Sequence, residues 1–304
     1  MCRNRRFIMF SILVYCLTLI GWITRSNAQT IVPSVIAPGA EMKQLVTGLT
    51  HLEGPAVDPD GNIYFTQQFA FKIFKWWYAE RNVTLFHDDS GGTNGLFVDG
   101  NGDIVGCATL LKKLVRYDRD TAKMTDIVAT YDGRPFNSTN DLWIDPLGGI
   151  YFTDPNYSRD PLTQDGEHVF YLFPDGERLI RVTRDLKRPN GIIGTGDGRL
   201  LYIADELADT TWVYTIQPDA RLSDKRLFVP EGDDGRTIDT EGNVYITPHK
   251  INEIHVFDPA GNRIDTITVP EQPRNMCFGG SDRQTLFITA QTSLYSVRMR
   301  NRGY

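Results

Sequence analysis

From residue 53 onward short apolar runs alternate with tight polar turns, and one phrase of this pattern recurs six times. The copies are Glu53-Gly54-Pro55 leading into AVDPDGNIYFTQ, Asn94-Gly95 into LFVDGNGDIVGC, and Asn140-Asp141 into LWIDPLGGIYFTD. They continue with Asn190-Gly191 into IIGTGDGRLLYIAD, Asp234-Gly235 into RTIDTEGNVYITP, and Asn275-Met276 into CFGGSDRQTLFITA. Each opens on an oxygen-bearing side chain, runs through a short apolar strand, turns at Asp, Gly or Asn, and leaves through a strand rich in Ile, Tyr, Phe and Thr. Turns such as Asp58-Pro59-Asp60-Gly61-Asn62 supply the residues that tolerate positive φ. A second hairpin follows in most units, clearest over 168–182 and 253–269.

The opening residues recur every 41 to 50 positions, which marks a repeat architecture. Four short strands per unit, six units and no amphipathic helical stretch predict an all-β chain, a six-bladed β-propeller, with a central metal site expected from its ring of oxygen-bearing residues. A β-sandwich would not require such even spacing. The last unit ends near Arg298, so an arm over 29–52, through residues 43–47, is expected to complete its sheet. The propeller domain then covers 53–304.

The first residues read differently. Arg3, Arg5 and Arg6 precede an apolar run over 7–23, and Ser26-Asn27-Ala28 places small residues where a signal peptidase reads them. Residues 1–28 are expected to be a cleaved leader, and the protein to be periplasmic or secreted; an uncleaved anchor is the alternative. Cleavage would remove four arginines and no acid, taking the formal charge from −6 to −10. Such a balance argues against nucleic-acid binding. Cys107 and Cys277, both in predicted strands, are expected to be buried free thiols rather than a disulfide framework.

In a propeller the innermost strands line the central channel, so Glu53, Asn94, Asn140, Asn190, Asp234 and Asn275 should converge near one mouth. Two carboxylates partly removed from water raise each other's pKa, and a hard divalent cation relieves that repulsion. The donors are oxygens with neither imidazole nor thiolate among them, which suits calcium better than zinc, iron or magnesium. Taken singly, an Asn before Gly is commonly a turn residue; the inference rests on six copies in phase.

These residues resemble the gluconolactonase/senescence-marker-protein-30 (regucalcin-like) family. The resemblance is carried by Glu53-Gly54-Pro55, by Asn137-Ser138-Thr139-Asn140-Asp141 with Tyr151-Phe152-Thr153-Asp154-Pro155, by Pro189-Asn190-Gly191 with Leu201-Tyr202-Ile203-Ala204-Asp205, and by Phe278-Gly279-Gly280. It implies a metal-holding propeller acting on lactones, with ligands on Glu53, Asn190 and Asp234 and with Asn140 as a fourth ligand or substrate contact. Gly232-Asp233-Asp234-Gly235-Arg236 departs from the family's usual Pro-Asp-Gly followed by an apolar residue, which leaves Asp233 as a rival to Asp234.

On that footing Asp234 is the expected general base, or a direct nucleophile, held ionised beside the cation. Asn94, Asp141 and Asn275 are expected to orient a small lactone. His51 and Arg134 are expected at the surface, and Trp76-Trp77-Tyr78 in sheet packing. No Gly-x-Ser-x-Gly is present, which disfavours a serine esterase. The rival readings are a calcium-plugged propeller that binds a sugar or protein without catalysis, and a metal-free strictosidine-synthase-like propeller.

Overall fold

The computed structural model describes Met1 and residues 34–158, 160–248 and 250–304; the expected leader lies outside the described residues. Residues 34–304 form one unit. It consists of six four-stranded antiparallel sheets, with an additional two-stranded hairpin, Thr130–Tyr131 with Arg134–Pro135. The sheets are the blades of a β-propeller whose innermost strands are Leu52–Val57, Thr93–Val98, Leu142–Ile144, Pro189–Gly194, Arg236–Ile238 and Pro273–Gly279. Among the described residues the only helical pieces are 3-10 turns, at Gln68–Ala70, Thr109–Leu111 and Glu206–Ala208.

The recurring turn has a specific fastening. Asp58 Oδ1 accepts from the amides of Asp60 and Asn62 at 3.0 and 2.9 Å, and Asp239 Oδ1 does the same for Glu241 and Asn243 at 2.9 Å each. A carboxylate that satisfies two turn amides fixes the hairpin's register, and Gly61 supplies the φ of +88° that the turn needs.

Six buried apolar clusters fill the six clefts between consecutive blades. The cluster holding Leu52, Ile63, Phe65 and Trp76 of blade 1 with Phe287 and Leu294 of blade 6 closes the ring. Trp76 is therefore sheet packing, and Lys75 Nζ lies 4.0 Å over the Trp77 ring. Tyr64, Tyr151, Tyr202 and Tyr245 occupy one phase of the second strands and are fully buried. The hydroxyl of Tyr151 donates to Ala220 O at 2.8 Å, so the buried phenol is paired.

The sixth blade takes its outermost strand, Lys43–Val46, from the N-terminal arm, antiparallel to Leu294–Arg298. Tying the two chain ends into one sheet closes the ring with backbone hydrogen bonds. Cys107 and Cys277 are both free; Cys107 is buried and Cys277 half-buried.

The glycines that follow four of the six opening residues, Gly54, Gly95, Gly191 and Gly235, are packing residues, not turn residues. A Cβ on Gly54 would lie 2.1 Å from Asn94 O, and one on Gly191 2.1 Å from Asp234 O. Adjacent inner strands thus touch backbone to backbone, as Gly95 N donating to Asn140 O at 2.8 Å also shows. This close approach draws the opening residues into a narrow ring. The far end of the channel is mostly apolar, lined by Val57, Phe97, Trp143, Ile193 and Phe278, with Thr237, Arg283 and Tyr304 also on its wall.

Candidate active site

Glu53, Asn94, Asn140, Asn190 and Asp234, one from each of the first five blades, wall a pocket of about 440 Å³ at one mouth of the channel. The sixth opening residue is not among its walls. Asn275 Oδ1 accepts from its neighbour Met276 N at 2.8 Å, and its side chain also hydrogen-bonds Asp141. Asp141 in turn accepts from Leu142 N at 2.9 Å and Ile192 N at 3.4 Å. Two of the three expected substrate contacts, Asp141 and Asn275, are therefore hydrogen-bonded to each other across the channel and to backbone amides of the inner strands.

Two aspartates at the ends of second strands set the loops that deliver the amides. Asp154 accepts from the backbone amides of Asn137 and Ser138 at 2.9 Å each, two residues before Asn140. Asp205 does the same for Lys187 at 3.0 Å and Arg188 at 2.9 Å, two residues before Asn190. Burial pushes Asp154 up to about 7 against the pull of those two amides. One position earlier, threonines tie the inner strands directly: Thr66 Oγ1 donates to Asn94 O and Thr289 Oγ1 to Asn275 O, both at 3.1 Å.

The electrostatics of the pocket are unbalanced. Glu53 is buried and its Oε2 makes no hydrogen bond. Its Oε1 stands 3.9 Å from His51 Nε2, but burial and the Arg274 charge push His51 down to about 4, so the imidazole is neutral near pH 7. Burial, and then the neighbouring charge of Asp234, raise Glu53 well above the carboxylate range. Asp234 is pushed up to about 7 by burial and by Asp233, while Arg274, with Nη1 3.5 Å from Asp234 Oδ2, acts in the opposite sense. The chain's own burial and Asp233 thus push Asp234 up out of the ordinary carboxylate range, and a cation beside it would act in the opposite sense, as Arg274 does. Asp233 also lines the pocket.

Asn190 Nδ2 donates to Tyr157 Oη at 2.8 Å and lies 3.4 Å from Asp234 Oδ1. Tyr157 itself donates to Glu206 Oε2 at 2.6 Å. With both amide hydrogens engaged, Asn190 Oδ1 remains as a free acceptor.

Residues 51–292 match the SMP-30/gluconolactonase/LRE-like region. The chain belongs to this family. A gluconolactonase of Zymomonas mobilis is 27% identical over 93% of this chain and 88% of its own length. The solved structure of a gluconolactonase from Xanthomonas campestris is 27% identical, with a TM-score of 0.79 over 87% of this chain and 91% of that one. A calcium-binding regucalcin from Agrobacterium tumefaciens shares the fold at a TM-score of 0.76 and 18% identity, over 87% of this chain and 95% of that one.

The metal that membership in the SMP-30/gluconolactonase family implies can be tested against the donor set. Among the described residues no three His, Cys, Asp or Glu side chains are grouped closely enough to hold a metal ion by themselves. The candidates are instead two carboxylates, Glu53 and Asp234, with amide oxygens of Asn190 and Asn140, a hard set without nitrogen or sulfur. The orphaned Glu53 Oε2 is what such a set would show, and Asn190, bonded through Nδ2, has its Oδ1 to offer; these residues fit a hard divalent cation.

Several pocket residues escaped the sequence reading. His51, expected at the surface, is a pocket wall, while Arg134 is exposed. Arg274, Tyr157 and Glu206 also line the site, and no periodic signal marks them. Arg236 is buried and donates from Nη1 to Thr211 Oγ1 at 3.1 Å, while its Nε and Nη2 have no partner. Its replacement of the family's apolar residue was, with the duplicated Asp233, a visible sign of added charge beside Asp234.

Proposed function

We propose that the protein is a lactone hydrolase that depends on a divalent cation, calcium, held by Glu53, Asn190 and Asp234, with Asn140 as a fourth ligand or a substrate contact. The observation that carries this reading is the buried, partnerless oxygen of Glu53 beside Asp234 in a pocket walled by amides. Two like charges out of water are costly unless a cation joins them. Kinship to gluconolactonases supports the reaction, and the calcium-binding regucalcin of the same fold is consistent with the ion. Calcium accepts an irregular shell of oxygens, which an asymmetric ring offers.

A divalent cation in this ring would polarise the lactone carbonyl and offset the charge that develops on its oxygen. The remaining chemistry belongs to the chain. Asp234 takes a proton from the water that attacks the carbonyl carbon, and returns it to the ring oxygen as the acyl C–O bond breaks, leaving a hydroxy acid. The side-chain amides of Asn94 and Asn140 make no hydrogen bond to another described side chain and are available to orient the lactone. Read with residues 1–28 as a leader, the protein works outside the cytoplasm, in the periplasm or after secretion.

The test is a panel of lactones with wild type and Asp234→Asn, with and without calcium. Loss of hydrolysis by at least roughly a hundredfold in Asp234→Asn supports its role as base. Full turnover in that variant, with loss in Asp233→Asn instead, moves the role to the neighbouring carboxylate.

A further inference from the structure

Three of the loops joining second to third strands share one design. Gln68-Phe69-Ala70, Thr109-Leu110-Leu111 and Glu206-Leu207-Ala208 are 3-10 turns, each closed by a left-handed residue whose amide bonds back to the first carbonyl. In each, the first residue, Gln68, Thr109 or Glu206, faces the pocket. The middle residue is large, apolar and exposed, at 62%, 54% and 55% for Phe69, Leu110 and Leu207. Tyr157 and Ile251, on the corresponding loops of blades 3 and 5, are also exposed. Of these side chains Phe69, Leu110 and Tyr157 line the polar pocket, and Leu207 holds the equivalent position on the third turn.

Two of these side chains occupy built positions. Phe69 packs on the pocket wall, its ring 4.4 Å from that of His51. Leu110 lies over Gly92, where a Cβ would come within 2.7 Å of its Cγ. Both also line the pocket itself, beside Glu53, Asn94 and Asp234. Scattered exposed apolar residues need no explanation, but a set in phase around one cavity does.

Resting on the lactone-hydrolase reading, we propose that the substrate is a lactone ring carrying an apolar side chain, with the ring among the polar residues and the chain across Phe69 and Leu110. An aldonolactone presents hydroxyls on its ring carbons and would leave this rim in contact with water. A lactone with an alkyl chain covers it, and each methylene buried is worth roughly a fourfold gain in binding.

The experiment compares kcat/KM for γ-lactones of increasing alkyl chain length with that for an aldonolactone, in wild type and in the Phe69→Ala/Leu110→Ala double variant. The expected result is a rise of roughly fourfold per methylene over the first few carbons, and a substituted-to-unsubstituted ratio that falls toward one in the double variant. A folding defect would lower all substrates together and leave that ratio in place. Preference for the aldonolactone, or a ratio unchanged by the double variant, overturns the proposal while the lactonase reading stands. Hydrolysis of neither series overturns both. Binding of the wild type to lipid vesicles, lost in the double variant and without any chain-length effect, assigns the rim to a membrane surface and overturns it too.

Discussion

The hydroxyl of Tyr157 accepts a hydrogen bond from Asn190 Nδ2 at 2.8 Å. Because the same hydroxyl donates to Glu206 at 2.6 Å, it can serve Asn190 only as an acceptor. The amide of Asn190 is thereby turned with its nitrogen toward Tyr157 and its oxygen left free. Partners of this kind around a metal ligand contribute on the order of 10- to 100-fold to metal affinity. Tyr157→Phe should weaken calcium binding by about tenfold in titration calorimetry, with little change in unfolding of the metal-free protein. Unchanged calcium affinity would show that Asn190 is oriented by something else, or is not a ligand.

Asp154 gives a pH dependence with a definite sign. Its folded pKa of about 7 lies above the ordinary 3.8, so the folded state binds the proton more tightly than the unfolded one. The stability it contributes is fully present below pH 4 and is lost as pH rises through 7. A shift of this size corresponds to a few kcal/mol, roughly. Urea unfolding of wild type and Asp154→Asn across pH 4.5 to 8 should show a difference in favour of wild type that shrinks as pH rises. A difference that grows with pH would mean that the clamp works as a carboxylate, held by the amides of Asn137 and Ser138.

Gly54 tests the close approach of the inner strands. At φ +38° and with a Cβ that would stand 2.1 Å from Asn94 O, it leaves no room for alanine. Gly54→Ala should cost about 3 kcal/mol or more in unfolding free energy, since both strands would have to move. A cost below about 1 kcal/mol would show that the ring can widen, and with it the pocket.

The repeat was legible because most copies satisfy the same local requirements: an aspartate to tie the turn, a glycine where strands touch, and apolar residues in alternate phase. Asp58, Gly54 and Tyr64 can each be read from the chain for that reason. Glu53, Asn94, Asn140, Asn190 and Asp234 were legible as a ring because strand phase alone brings them together. Asn275 and Asp141 were not distinguishable from them, since whether an amide faces the mouth or a neighbouring strand depends on side-chain hydrogen bonds across blades. His51, Tyr157, Glu206 and Arg274 were hidden for a related reason. They reach the pocket from loop ends and strand entries whose course the repeat does not govern. The apolar rim of Phe69, Leu110 and Leu207 became visible only once three equivalent turns could be compared in space.

The central claim is that Glu53, Asn190 and Asp234 work through a bound divalent cation. It is tested most directly by the initial rate of lactone hydrolysis by the wild-type protein, measured after chelation and again after calcium is returned. The account predicts a rate that falls by roughly a hundredfold or more on chelation and recovers with calcium. A rate that chelation leaves unchanged, with the metal shown to be gone, would contradict it.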